Sequence, residues 1–524
     1  MEPQVLVQPE RERRSLRQDR QPHRRGLRGA GHLQLGQGEV HPRRSAPVLP
    51  GRGNPLVRRY TLFLLHKYAG LGAGLVLALL ALTGFFLDHE NFDFLWRITV
   101  DDRWVPASME AKKPRAVEAY RVNPGDPQQV LAGTRRGLYR SLDGGGSFEL
   151  VLPRQVLALA AGPDWSLLLA ATTRGLWSSE DGGRHWHPFA LVGRPVTSVN
   201  LHGGFAWAVV DKRQLYRVDH RGREEPLSWR PPAPSVLPRR VTLGRLVRDL
   251  HYGRGVVDGD ASLLFNDFLA GVLFFLSLGG FVIWLKVRAR RRRRGRGGSL
   301  RFWLKTHAHG SQLPLFLLVF VLFGVTGLFL DHAGLFRGVL RSVTLDTAWL
   351  PPVYRSLATD VWGFDFDGER YRIGNRLGVF SSTDLEHWVL ESEGFAWRMK
   401  RLGDRLLVSG MGAPNRLLAE KGWVELEGTP HMPRDFYREE GRVRAFSTRG
   451  EPPPLPKWNS TSLYHILLGL HDGELLWGQW VWLNDLAVIA SLLLLYTGFL
   501  KWLHHRRRRR HPSGRRSSPQ ARHK

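Results

Sequence analysis

The sequence predicts a membrane α-helical bundle of four transmembrane helices, a parallel tandem repeat of two plus two, with extramembrane all-β, propeller-like domains. Three observations predict it. Four stretches, Tyr60 to Leu87, Leu264 to Val287, Leu313 to Leu330 and Val481 to Leu503, are nearly free of charge, and each is long enough to cross a hydrocarbon core of roughly 30 Å. The chain matches itself at corresponding points of its two halves. The segments between spans carry one short turn pattern three times.

The formal net charge of +29 raises the question of a nucleic-acid partner, and the placement of the basic residues answers it. Arg58 and Arg59 precede the first span, Arg290 to Arg294 follow the second, and Arg506 to Arg510 follow the fourth. Lys and Arg gather in loops that stay in the cytoplasm, so these three runs give one consistent orientation. Topology and anionic lipid account for them, and no nucleic acid is expected.

The expected order is a disordered basic cytoplasmic N-terminus (1–57), a first span (58–89), a periplasmic β-domain with two copies of the turn pattern (90–262) and a second span (263–287). A basic cytoplasmic loop (288–311), a third span (312–332), a periplasmic β-domain with one copy (333–480), a fourth span (481–503) and a basic cytoplasmic tail (504–524) follow. Residues 1–52 are rich in Arg, Gly, Gln and Pro and lack the apolar core and cleavage site of a signal peptide. The expected location is a bacterial inner membrane, with both termini inside and the large segments outside. Cysteine is absent, which removes disulfides, thiolate-held iron–sulfur clusters and covalent haem attachment.

The duplication is read from Ala81-Leu-Thr-Gly-Phe-Phe-Leu-Asp-His89, which ends the first span, and Gly324-Val-Thr-Gly-Leu-Phe-Leu-Asp-His332, which ends the third. His66 stands 23 residues before His89, and His309 stands 23 before His332. Asn266-Asp267 and Asn484-Asp485 hold matching places in the second and fourth spans, and His251-Tyr-Gly and His471-Asp-Gly lie just ahead of them. Two spans per repeat return the chain to one side, so the repeats are parallel. The Asn-Asp pairs read as helix N-caps. Gly70, Gly72 and Gly74 read as a helix-packing stripe, and Thr83-Gly84, Thr326-Gly327 and Thr497-Gly498 likewise as close packing.

The Leu65-His-Lys-Tyr-Ala-Gly-Leu71 start of the first span, the Thr83-Gly84 near its end, Leu470-His-Asp-Gly473 and the exit Thr497-Gly-Phe-Leu-Lys-Trp502 resemble the PepSY-associated transmembrane family. That resemblance implies an inner-membrane protein that carries b-type haem on membrane histidines, as in reductases of ferric siderophores.

The repeated turn is Ser141-Leu-Asp143-Gly-Gly145-Gly-Ser-Phe148 and, 38 residues on, Ser179-Glu-Asp181-Gly-Gly183-Arg-His-Trp186. A third copy, with Ser382, Asp384 and Trp388, is one residue shorter and lacks the glycine. These resemble Asp-boxes, or BNR repeats, of sialidase-like propellers. In them the carboxylate caps turn amides, glycine takes the positive-φ place and the aromatic packs back on the blade. A period near 40 residues suits a four-stranded blade. Further units without the turn are expected near 206–218 and 406–424. The halves are expected to share one propeller, with two separate β-domains as the alternative. The turn says nothing of activity, and no sialidase entry motif accompanies it.

A rise of about 34 Å over 23 helical residues puts His66 and His309 at the inner face and His89, His332, His251 and His471 at the outer. Facing imidazoles in a dry bundle suit axial ligation of haem b, the iron held through these same histidines. Interfacial histidines, or zinc or copper on the outer set, are the other readings. His66 is expected to pair with His309. The expected function is transfer of electrons from a quinol or other inner-side donor to a periplasmic acceptor such as a ferric chelate. No flavin or nicotinamide fingerprint is present, so the donor is a separate molecule. The competing expectation is a haem-free, membrane-anchored propeller that binds or assembles a periplasmic protein, with lipid as its other partner.

Overall fold

In the computed structural model, which describes residues 55–292, 302–304, 314–356, 360–447, 452–476 and 479–510, the two halves share one element order. Helix α1 (Pro55–Asp88) leads to a short α2 (Asp93–Arg97), and α3 (Leu243–His251) precedes α4 (Asp260–Arg292). The second half repeats this with α5 (Pro314–Asp331), α6 (Arg337–Ser342), α7 (Leu463–His471) and α8 (Val481–Arg510). Leu64–Asp88, Asp260–Ala289 and Val481–Leu500 are long and apolar enough to cross a membrane. The remaining expected span corresponds to α5, which has 18 residues. Most of the expected N-terminal segment and basic loop, the tail beyond 510 and His309 lie outside the described residues.

The bundle core joins Ala73, Leu77 and Ala81 of α1 to Leu273 of α4 and Ala487 of α8. A Cβ at Gly74 would stand 3.2 Å from the Ser277 carbonyl oxygen, and one at Gly70 would stand 3.5 Å from Leu494. Gly70 and Gly74 thus bring α1 against two other helices, as expected, whereas nothing described lies within 4 Å of a Cβ at Gly72.

Five antiparallel four-stranded sheets span 117–152, 156–190, 196–227, 363–393 and 396–425, and a two-stranded sheet spans 435–446. Their first strands, Val117–Asn123, Val156–Ala161, Val196–His202, Gly363–Phe366, Ala396–Leu402 and Asp435–Glu439, follow one another in a closed ring. The third and fifth sheets contain the units expected without the turn. Two seams join the halves. At one, Asn200 Nδ2 donates to Phe364 O at 3.0 Å. At the other, Asp435 Oδ2 accepts from Tyr120 N at 3.0 Å and from Arg121 Nη1 at 2.8 Å. The result is a single propeller-like ring built by both halves. Its cores lie between sheets: Trp207 and Leu215 of the third pack with Phe364 and Phe380 of the fourth. Each such side chain contributes roughly 1.5–3 kcal/mol by burial.

The repeated turns close hairpins of the first, second and fourth sheets. Ser141 Oγ donates to Asp143 Oδ1 at 2.7 Å and accepts from Gly145 N at 2.8 Å. Ser179 Oγ likewise accepts from Gly183 N at 3.0 Å, and Asp181 Oδ1 takes the amides of Arg184 and His185. Asp384 takes those of Glu386 and His387. Where the glycine is missing, Leu385 adopts the left-handed conformation, φ 64°, a strain that L side chains rarely accept.

Two short strand pairs connect ring to bundle. Thr99–Asp101 pairs with Ser460–Ser462, and Arg240–Thr242 pairs with Thr344–Asp346. Each half's first strand is therefore held by the other half's last.

Candidate functional site

That exchange of strands places α3 and α7. Each has nine residues, starts on a hydroxyl cap and ends on a histidine. Thr242 caps α3 by accepting from Arg245 N, and Ser462 caps α7 by accepting from His465 N. Each helix delivers its histidine to a threonine of the opposite half. Nδ1 of His251 lies 3.1 Å from Oγ1 of Thr326 on α5, and Nδ1 of His471 lies 2.8 Å from Oγ1 of Thr83 on α1. A third contact of this kind joins His66 Nδ1 of α1 to Thr497 Oγ1 of α8, at 2.8 Å.

The threonines settle the tautomer. A hydroxyl has one proton, and that of Thr83 goes to Leu79 O at 2.7 Å, that of Thr326 to Leu322 O and that of Thr497 to Leu493 O at 2.9 Å. Each Oγ1 is left to accept, so the imidazole donates from Nδ1 and its Nε2 keeps the lone pair. Neither His251 nor His471 makes a hydrogen bond through Nε2 among the described residues.

The glycine after each threonine has a use as well. A Cβ at Gly84 would stand 3.4 Å from His471 Cε1, one at Gly327 3.5 Å from His251 Cε1, and one at Gly498 3.9 Å from His66 Cε1. The threonine seats the imidazole, and a Cβ at the following glycine would make ordinary van der Waals contact with its edge. Beyond the close packing expected of these pairs, their threonines each hydrogen-bond a histidine.

His251 and His471 are neighbours. Burial, and then the charge His471 would carry, hold His251 down at about 4. Burial also lowers His471, against the opposite pull of Asp472 and of a hydrogen bond to the Leu80 backbone. Both rings are neutral at neutral pH, which is the ligating form of imidazole.

His89 and His332 do something else. His332 Nε2 lies 2.8 Å from Asp485 Oδ2, and His89 Nε2 lies 3.6 Å from Asp267 Oδ2 while its Nδ1 donates to Phe85 O at 2.8 Å. Of the four outer histidines, His332 thus hydrogen-bonds a carboxylate and His89 has one nearby, whereas His251 and His471 sit on threonines. The N-cap reading of Asn266-Asp267 and Asn484-Asp485 also fails, because α4 starts at Asp260 and α8 at Val481, leaving both pairs inside helices. Their amides serve other ends: Asn266 Nδ2 donates to Asp88 Oδ2 at 2.9 Å, and Asn484 Nδ2 donates to His471 O at 3.1 Å. Asp485 holds His332, and Asp267 stands near His89. The expected partner of His66, His309, lies outside the described residues. Among those residues no group of three or more His, Asp or Glu is arranged to hold a metal ion, so no zinc or copper site of that size is assembled there.

The family described as PepSY-associated TM region matches residues 63–505. The chain belongs to this family. The match takes in both halves, and so all three histidine–threonine contacts, together with the ring carried between the helices. No curated protein matches the chain.

Among solved structures the chain is similar to a protein of unknown function from Bacteroides thetaiotaomicron, with 10% identity and a TM-score of 0.32 over 63% of this chain and 67% of that one. It is also similar to an ancestral GH74 enzyme, with 12% identity and a TM-score of 0.28 over 62% of this chain and 32% of that one. YCF48 bound to a D1 peptide gives 11% identity and a TM-score of 0.27 over 61% and 71%.

Proposed function

We propose that this family member is a four-span inner-membrane protein that carries haem b and passes single electrons to an acceptor on the ring side of the membrane, a ferric chelate being the acceptor class we favour. The basic runs beside the spans support cytoplasmic termini and a periplasmic ring, and the Ser-Asp turns support reading the ring's hairpins as Asp-boxes.

The observation that carries the proposal is the pair His251 and His471: two neighbouring neutral imidazoles, each anchored through Nδ1 to a threonine, each with its Nε2 lone pair unengaged among the described residues. His251 and His471 are the residues that would hold a haem iron, and that group when bound would supply reversible one-electron exchange. The chain's own residues orient the rings: Thr83 and Thr326 hold the protonated nitrogens, and Gly84 and Gly327 leave room for the ring edges. This is the outer-shell contact that fixes a ligating histidine's tautomer and raises its basicity. His66, seated on Thr497 at the other end of α1, supports a second site toward the cytoplasmic face. A quinol or other inner-side donor would deliver electrons there.

A reduced-minus-oxidised absorption spectrum of the detergent-purified protein tests this. A b-type spectrum, confirmed as pyridine haemochrome, is expected. A flat spectrum after expression in haem-replete cells would leave the competing reading, an anchored propeller that docks a periplasmic protein.

A further inference from the structure

The two segments that leave α1 and α5 for the ring carry apolar surface that the electron-transfer reading does not use. Trp349, Leu335 and Trp104 are the most exposed large apolar side chains among the described residues, at 86%, 80% and 77%, and all three lie in these two segments. A single exposed apolar side chain is ordinary. The same exposed side chain at the same address in both halves calls for a reason.

The address is written twice. Thr99-Val-Asp-Asp-Arg-Trp104-Val-Pro106 corresponds to Thr344-Leu-Asp-Thr-Ala-Trp349-Leu-Pro351. The threonine opens each half's short strand, and the aspartate caps the turn that follows. Asp101 Oδ1 accepts from Arg103 N at 3.0 Å, and Asp346 Oδ1 accepts from Ala348 N at 2.8 Å. Each turn ends on its tryptophan. Neither indole makes a hydrogen bond or a ring contact among the described residues. The folding of the chain on itself accounts for the aspartates and not for the tryptophans.

Both turns are tied to the ends of the apolar helices. Ahead of Trp104, Leu95 and Trp96 of α2 pack with Phe86 of α1, and Phe94 meets Phe86 edge to face at 6.2 Å between ring centres. Ahead of Trp349, Phe336 meets Phe329 of α5 at 4.8 Å. Beyond the turns, Met109 packs on Gly469 of α7, and Tyr354 Oη donates to Asp249 Oδ2 of α3 at 3.2 Å. Each tryptophan thus stands on a short excursion that leaves an apolar helix and returns to a histidine-bearing one. The open sides of α2 and α6 are apolar too: Phe94 and Ile98 are exposed on the first, Val339 and Val343 on the second.

We propose that Trp104 and Trp349, with the exposed apolar sides of α2 and α6, are two anchors seated in the phospholipid headgroup region of the ring-side leaflet, one from each half. Tryptophan suits that boundary, because its body is apolar and its indole N–H needs a polar partner. A short helix lying in the interface buries its apolar side there. Continuity selects lipid over a protein partner, since these sides adjoin the last turns of α1 and α5, where the bilayer is already present. Arg337 and Arg341, exposed on α6 and without an ion pair among the described residues, match anionic headgroups. Arg97 and Arg103 are shared with Asp93 and Asp101. The inference rests on the reading of α1 and α5 as spans and not on haem.

The chain has no cysteine, so a nitroxide on one introduced thiol has a single address. The full chain is labelled after Trp104→Cys, Trp349→Cys, Ile489→Cys or Val192→Cys and placed in nanodiscs of phosphatidylethanolamine and phosphatidylglycerol. Electron paramagnetic resonance then reads collisions of the label with oxygen, which concentrates in lipid, and with a water-soluble nickel chelate. Ile489 is exposed on α8 and Val192 just beyond the second sheet, so they mark hydrocarbon and water. At 104 and 349 the chelate is expected to collide several-fold less often than at 192, and oxygen more often. Chelate collisions equal to those at 192 would place the tryptophans in water and overturn the proposal. Low collision with both reagents would mean that protein covers them, a second copy of this chain included, and overturns it as well. A label at 489 that behaves like the one at 192 would remove the span reading and the proposal together, which sets that failure apart from the other two. Should Trp104→Cys fail to fold, Ile98→Cys answers for the same anchor.

Discussion

Nδ1 of His471 lies 2.8 Å from Oγ1 of Thr83, a residue 388 positions earlier in the chain, and His251 meets Thr326 in the same way with the halves exchanged. Neither half can build its own seat. Because the hydroxyl's proton is committed to the carbonyl one turn back, the contact fixes which ring nitrogen carries hydrogen. Thr83→Val should therefore weaken haem binding by roughly 10–100-fold, the usual effect of losing an outer-shell partner, while Thr83→Ser should keep it. Haem titration of the apo-protein checks this. Equal affinity in the Val and Ser variants would show that the hydroxyl does not set the ligand.

Gly84 and Gly327 face the Cε1 edges of the two rings. A branched side chain at either place must push the imidazole off its seat. Gly84→Leu and Gly327→Leu should each lower haem content, with the ring's thermal unfolding unchanged because the substitution lies in the bundle. Haemochrome content and a melting curve of the same sample read the two effects separately.

Glu118 is buried under three arginines. Burial alone would raise its pKa, yet Arg434, Arg135 and Arg398 outweigh it and hold the carboxyl at about 2. A depressed carboxyl contributes stability that is fully present above its unfolded value and is lost as pH falls through the folded one. The ring should keep this contribution above pH 4.5, the ordinary value for Glu, and lose it as pH falls toward about 2. Glu118→Gln should lower stability at neutral pH by about 3–5 kcal/mol, the cost of stranding buried charge. It should also flatten the acid side of the profile. Urea unfolding followed by tryptophan fluorescence at several pH values measures both.

The apolar runs, the basic runs beside them and the repeated Asp-His and Ser-x-Asp signatures made the helices, the duplication and the hairpin turns readable from the residues alone. Single-chain periodicity does not say which element packs on which. The closure of both segments into one ring rests on Asn200 reaching Phe364 and Asp435 reaching Arg121, contacts between positions far apart in sequence. The division of the histidines was hidden for the same reason. His89 and His251 look alike as span-end histidines, and only the arrival of Asp267 at one and Thr326 at the other separates them. A signal was present: threonine precedes glycine in three of the four apolar stretches, at Thr83, Thr326 and Thr497, and packing alone does not ask for the hydroxyl.

The most direct test of the central claim is a reduced-minus-oxidised spectrum recorded on the wild-type protein and on His251→Ala, His471→Ala, His89→Ala and His332→Ala at matched concentration. The account predicts a b-type spectrum in the wild type, diminished by either of the first two substitutions and retained in full by the last two. No haem signal in the wild type, or equal loss in all four variants, would contradict it.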